Sequence, residues 1–324
     1  MTTQEPDLKT LVRRLEKRHQ KKQATTALVA ATAVLGLTVL TAPLFMPKET
    51  AAPVAEAPSA IVALAPEAFT GVALEGKAAI VYDLTTGETL YEKNSRSQLP
   101  LASLTKLLTV YAASQALSAG STVTITDSAL RSEGESGFVA GERFAFGDLA
   151  RLALVSSSND ATAAIAETAA VARATTGKNL LAGAASALGL SQTYALNGTG
   201  LDESTSVSGA YGSAKDIAVL SGEILKKAPD IARATVESSF SITSLDGVRH
   251  SLPNTNQEIV RVPNALLSKT GFTDLAGGNL AVVYDAGMGH PVAVVVLGSS
   301  RDGRFTDVRA LIARADRYFA GIER

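Results

Sequence analysis

The stretch Leu101-Ala-Ser-Leu-Thr-Lys-Leu-Leu-Thr109 decides how this chain is read. It follows Pro100 and opens a helical pattern over residues 103–117. Ser103 and Lys106 stand three residues apart, so a helix places them on one face with the ammonium one turn from the hydroxyl. A desolvated lysine loses basicity and acts as a base toward serine. The helix N-terminus adds a backbone N–H toward a developing oxyanion. Alone, the spacing carries little. With 28 serines and 13 lysines in 324 residues, about one Ser-x-x-Lys arises by chance. The competing reading is a capping serine beside a solvated lysine.

The surroundings give the spacing a context. Residues 78–84 and 88–93 are apolar, strand-like runs flanking Thr85-Thr86-Gly87, which predicts a β-hairpin before the helix. Residues 127–235 are rich in Ala, Leu and Glu and read as mostly helical, most clearly over 146–155 and 160–175. Strand signals return at 265–269, then at 279–285 and 291–298, which flank the turn Ala286-Gly-Met-Gly-His290. Val308, Leu311, Ile312, Ala315 and Phe319 recur at helical spacing in 305–322, which predicts a helix packed on the sheet. Strands at both ends with helices between predict an α/β (α+β) fold. One antiparallel sheet is assembled from both ends of the body, with a helical subdomain inserted.

Two further motifs follow in order. Ser157-Ser158-Asn159 places a hydroxyl and an amide at the start of a helix, where the serine can pass a proton to a leaving amine and the amide can hold a peptide backbone. A plain helix cap before Asp160-Ala161 accounts for it equally well. Lys269-Thr270-Gly271 ends an apolar strand. Its lysine and hydroxyl suit a carboxylate, and the glycine lets a substrate lie along the strand edge. The alternative is an edge strand guarded by a lysine.

Ser-x-x-Lys, Ser-x-Asn and Lys-Thr-Gly in this order and setting resemble the penicillin-recognising serine acyl transferases. The chain is most similar to the low-molecular-mass D-alanyl-D-alanine carboxypeptidases. Ser156–Ala161, Asn197-Gly-Thr-Gly-Leu201, Lys269–Asp274, Ala276-Gly277, and Leu297-Gly298 with Arg304-Phe305 continue the likeness. The resemblance implies the penicillin-binding/β-lactamase-like fold, peptidoglycan stem peptides as substrate, β-lactams as covalent inhibitors and no cofactor or metal. It implies Ser103 as nucleophile, Lys106 as its base, Ser157 as proton carrier to the departing D-Ala, and Asn159 as a peptide-positioning group. It also implies that Lys269 and Thr270 hold the terminal carboxylate with Arg304 nearby, that Gly271 lies on the substrate-binding edge, and that the N–H groups of Ser103 and Phe272 form the oxyanion hole. Many relatives carry a further β-rich domain and a C-terminal amphipathic anchor after the catalytic part.

Composition narrows the alternatives. Cysteine is absent, which excludes thiol nucleophiles, disulfides and Cys-based metal sites. The three histidines are His19, His250 and His290. His19 lies in a basic leader, His250 reads as part of a hairpin or loop and His290 as a turn residue, neither of them catalytic. Asp127, Glu133, Glu135 and Glu142 read as solvated loop acids. The body is mildly acidic once the leader is set aside, which argues against nucleic acid.

Residues 1–22 hold seven Lys/Arg against three Asp/Glu. Residues 23–47 hold no charge. The 23 residues of 24–46 would reach about 34 Å as a helix, enough for a ~30 Å hydrocarbon core. This predicts a cytoplasmic basic tail (1–23), a single membrane-spanning signal-anchor helix (24–46), a Pro/Ala-rich linker (47–70) and an extracytoplasmic catalytic domain (71–324) of a bacterial cell-membrane protein. Export after signal cleavage, with Ala55-Glu56-Ala57 as the small-residue site, is the alternative. Two other functions compete. A β-lactamase needs fast deacylation, which the class A enzymes achieve with a glutamate between the second and third motifs, but Glu167 and Glu203 lack their Glu-x-x-Leu-Asn setting. A non-catalytic, membrane-tethered muropeptide-binding or scaffold protein with a relic site is the other, and the intact motif residues weigh against it.

Overall fold

The computed structural model describes residues 65–134 and 137–322. The predicted tail, the 24–46 span and most of the linker lie outside them. Among the described residues no helix is long and apolar enough to cross a membrane. The body begins before residue 71: Ala65–Ala68 is a short helix (α1), and Phe69 is buried on Tyr91, ring centroids 5.4 Å apart.

Strands β1 (Ala78–Asp83) and β2 (Thr89–Lys93) form the first hairpin. Its turn is held by Asp83, whose Oδ1 accepts from the N–H groups of Thr85 and Thr86 at 2.7 and 3.1 Å. Leu99–Pro100 (β3) leads into a 3-10 turn, Ala102–Leu104, and then helix α2 (Thr105–Ser114). The sequence predicts one helix from Ser103. The first turn tightens instead, because Ala102 takes a left-handed φ of +47°.

Strands β4 (Thr122–Thr124) and β5 (Arg143–Ala145) pair around a long loop. Helices α3 (Phe146–Ser156), α4 (Asn159–Ala172) and α5 (Gly177–Ala187) follow, with boundaries close to the periodicity. The short strands β6 (Tyr194–Ala195) and β7 (Ala210–Gly212) pair with each other, and β7 with β3. Next come α6 (Ala214–Lys227), α7 (Pro229–Ala234) and the hairpin β8 (Ser239–Thr243) with β9 (Arg249–Pro253). The chain closes with β10 (Ala265–Thr273), β11 (Gly277–Asp285), β12 (Pro291–Ser299) and helix α8 (Gly303–Ile322).

The main sheet runs β10-β11-β12-β1-β2, antiparallel throughout, with Val81 opposite Val294 and Lys269 opposite Ala281. It is therefore built from both ends of the body, as the sequence predicts. Both faces are covered, which explains why β12 reads as a continuous apolar run rather than an alternating one. Val81, Val282 and Val294 pack on one side with Val308, Leu311 and Ala315 of α8. Ile80, Val283 and Val295 join the helical core on the other. Helix α2 sits inside that core, and every residue from Thr105 to Ala113 is buried. This placement takes Lys106 out of water.

Candidate active site

Two lysine–serine pairs form the centre. Lys106 Nζ donates to Ser103 Oγ at 2.8 Å and to the carbonyl of Thr199 at 2.8 Å. Lys106 has no solvent exposure, and burial pushes its pKa down to about 7. Lys269 Nζ donates to Ser157 Oγ at 2.9 Å and to the carbonyl of Thr270 at 2.8 Å. Burial also holds Lys269 well below the ordinary lysine range, with the positive charges of Lys106 and then Arg304 adding to it.

Each serine is set by unusual backbone. Ser103 follows the left-handed Ala102 and lies in the turn that Asn279 braces: Asn279 Nδ2 donates to the carbonyls of Pro100 and Leu101, both at 3.0 Å. Ser157 is itself left-handed, with φ +59°, at the junction between α3 and α4. The cap of α4 is Ser158, whose side chain accepts from the N–H of Ala161 at 3.1 Å. Capping therefore falls on Ser158, and Ser157 is free of the cap role that competed for it. Left-handed non-glycine residues are costly and cluster where a site demands them.

The remaining predicted residues converge on the same place. Asn159 Nδ2 donates to the carbonyl of Glu133, while its buried Oδ1 accepts no hydrogen bond from the described residues. Thr270 Oγ1 shares a 2.7 Å hydrogen bond with Thr255 Oγ1. A Cβ on Gly271 would lie 3.2 Å from the backbone nitrogen of Ser103 and 3.0 Å from the carbonyl of Leu101, so a side chain here would crowd the turn that carries Ser103. Phe272 carries the Arg301 guanidinium over its ring at 3.9 Å. Arg304 donates from Nη1 to the carbonyl of Gly271 at 2.7 Å, and burial lowers its pKa to about 10. Beside these groups, Glu133, Leu201–Thr205 and Phe272–Leu275 line a cleft of about 740 Å³.

Sequence reasoning missed Thr255, Asn279 and the carbonyls of Thr199 and Glu133. The only available signal was the Asn197-Gly-Thr-Gly-Leu201 turn. There Asn197 Oδ1 accepts from Thr199 and Gly200, and a Cβ on Gly200 (φ +78°) would strike the carbonyl of Ala102 at 1.9 Å.

The other titratable candidates lie elsewhere. Glu142 is not a solvated loop acid: it is buried and bonded to His250 Nε2 at 2.7 Å, beside the rings of Phe138 and Phe144. Its apolar surroundings were invisible because Phe138, Phe144 and His250 come together only in the fold. His290 Nε2 bonds Asp83 Oδ2 at 2.7 Å in the hairpin region. Glu167 accepts from Thr126 at 2.6 Å and Glu203 from Asn197 at 2.6 Å. Among the described residues no group of three or more His, Asp or Glu side chains is placed to hold a metal.

A buried lysine on Ser103, a second lysine on Ser157 and a glycine strand edge beside both make the constellation of a serine acyl-transfer site. Residues 63–301 match the D-alanyl-D-alanine carboxypeptidase peptidase family, and the chain belongs to it. It is 30% identical over 263 residues to D-alanyl-D-alanine carboxypeptidase DacF of Bacillus subtilis, covering 79% of this chain and 66% of that protein. It is 29% identical over 262 residues to DacA of Escherichia coli, covering 76% and 62%. The chain thus spans just under two thirds of the length of these relatives. Among solved structures it is similar to ampicillin-bound penicillin-binding protein D2 of Listeria monocytogenes, with 26% identity, a TM-score of 0.63 and coverage of 75% of this chain and 98% of that one.

Proposed function

We propose that this protein is a serine-type D-Ala-D-Ala carboxypeptidase acting on peptidoglycan stem peptides, and that β-lactams acylate the same serine. The observation that carries the reading is the buried Lys106 bonded to Ser103, with Lys269 and Ser157 completing the pair of pairs. Family membership and the ampicillin-bound relative support it.

In this reading neutral Lys106 takes the Ser103 proton as Oγ attacks the penultimate D-Ala carbonyl. The N–H groups of Ser103 and Phe272 receive the oxyanion. The C–N bond breaks as the proton passes through Ser157 to the departing D-Ala. Lys269, Thr270 and Arg304 hold its carboxylate, and Asn159 aligns the acyl peptide. Water then attacks the ester and regenerates Ser103. The test is D-Ala release from an acetylated peptide ending in D-Ala-D-Ala, with an L-Ala-terminated control. Release that is stereospecific and abolished by Ser103→Ala supports the reading; a folded protein without release sinks it.

We also place the catalytic domain outside the cytoplasm, tethered by residues 24–46 with residues 1–23 inside. The uncharged stretch and its seven preceding basic residues support this. Carbonate-resistant membrane association with an intact N-terminus is the expected result; a soluble protein beginning near Pro58 would replace the anchor with a cleaved signal.

A further inference from the structure

A second groove, of about 430 Å³, lies beyond the carboxylate end of the site. It is lined by Arg261, Arg301, Arg304 and Arg309, against only Glu258 and Asp302. One carboxylate serves two of the arginines: Glu258 Oε2 accepts from Arg261 Nη1 at 2.9 Å and from Arg309 Nη1 at 3.4 Å. Arg301 and Arg304 pair with no carboxylate among the described residues within ion-pair distance. Four guanidinium groups outnumber the two carboxylates around this cavity, so the groove keeps an excess of positive charge that a further anion would offset.

The groove touches the reaction centre through two of its own walls. Thr255 bonds Thr270 at 2.7 Å, and Arg304 bonds the carbonyl of Gly271 at 2.7 Å. It therefore begins where the departing residue's carboxylate would sit. The cleft walled by Phe272–Leu275 is a separate cavity.

We propose that this groove is a leaving-group subsite for a second anion: it takes a departing D-amino acid whose side chain carries a carboxylate. The inference rests on the carboxypeptidase reading above. Its chemistry is unchanged, since the same amide C–N bond breaks, the departing amine takes the proton, and water releases the acyl group. What changes is which D-residue leaves. Arg261 and Arg309 receive the side-chain carboxylate in place of part of their shared bond to Glu258, and Arg304 remains with the main-chain carboxylate.

The test compares kcat/KM for three acetylated peptides that differ only in the last residue: D-Ala, D-Gln or D-Glu. The intact protein should prefer D-Glu over its uncharged isostere by about tenfold, and added salt should shrink that margin. The double variant Arg261→Ser/Arg309→Ser should bring the two rates together while D-Ala release stays within about twofold, since neither residue touches the reacting atoms. Glu258→Gln, which frees both arginines, should widen the preference and guards against a folding defect in the double variant. Equal rates for D-Glu and D-Gln in a protein that releases D-Ala normally would overturn the subsite alone, as would a preference that survives the double variant. Failure to release any residue would overturn the carboxypeptidase reading and the subsite together.

Discussion

Lys106 approaches Ser103 from the dry side of the site, 2.8 Å from its hydroxyl and shielded from solvent on every face of α2. The ammonium's other observed partner is a backbone carbonyl, so no carboxylate offsets the cost of charging it. A lysine with a pKa of about 7 is half neutral at physiological pH and available as a base.

Acylation by a β-lactam should therefore rise with pH through about 7 and level off above it. Stopped-flow fluorescence checks this, and Lys106→Ala should cost about 10²–10⁴ in rate. Stability should follow in a definite direction. The pKa falls from 10.5 unfolded to about 7 folded, so between those values the unfolded chain binds more protons. Stability should climb as pH rises across that window, the penalty being complete below it. Lys269 acts with the same sign. Lys106→Met should flatten the climb in melting experiments run at several pH values.

Gly271→Ala and Gly200→Ala should fail differently. At Gly271 the added methyl presses on the Ser103 nitrogen, so acylation should slow by about 10² with little change in melting. At Gly200 the φ of +78° and the 1.9 Å approach to Ala102 leave no room, and the fold should lose more than about 3 kcal/mol. Paired denaturation and acylation assays separate the two.

Glu142 and His250 anchor the loop whose Glu133 carbonyl receives Asn159. Glu142→Ala removes the hydrogen-bond partner of His250 among Phe138 and Phe144 and should destabilise by about 1–3 kcal/mol. KM for a stem peptide should rise more than kcat falls if the loop acts through Asn159 in its proposed role of aligning the peptide. Equal losses in both would argue for a purely structural role.

The sheet was legible because Ala78–Asp83 and Pro291–Ser299 are apolar enough to be buried on both faces and are bounded by turn residues. The three motifs were legible because their order and element types carry information that none carries alone. What was not legible depended on distant residues meeting. Asn279 looks like any polar residue in a strand until Leu101 is laid against it, and Thr255 lies in a loop without pattern. Ala102 gives no hint of its left-handed φ, taken in the turn that Asn279 braces and Gly200 approaches. Glu142 reads as solvated because its partner is 108 residues away.

The proposed mechanism stands or falls on Ser103 as the nucleophile. Incubating the protein with a fluorescent penicillin and reading intact mass, alongside Ser103→Ala, decides it. One drug mass added to the wild type, on the peptide holding Ser103, and none on the variant is the predicted result. An adduct that persists on a folded Ser103→Ala protein would contradict the account, as would a folded wild type that takes none.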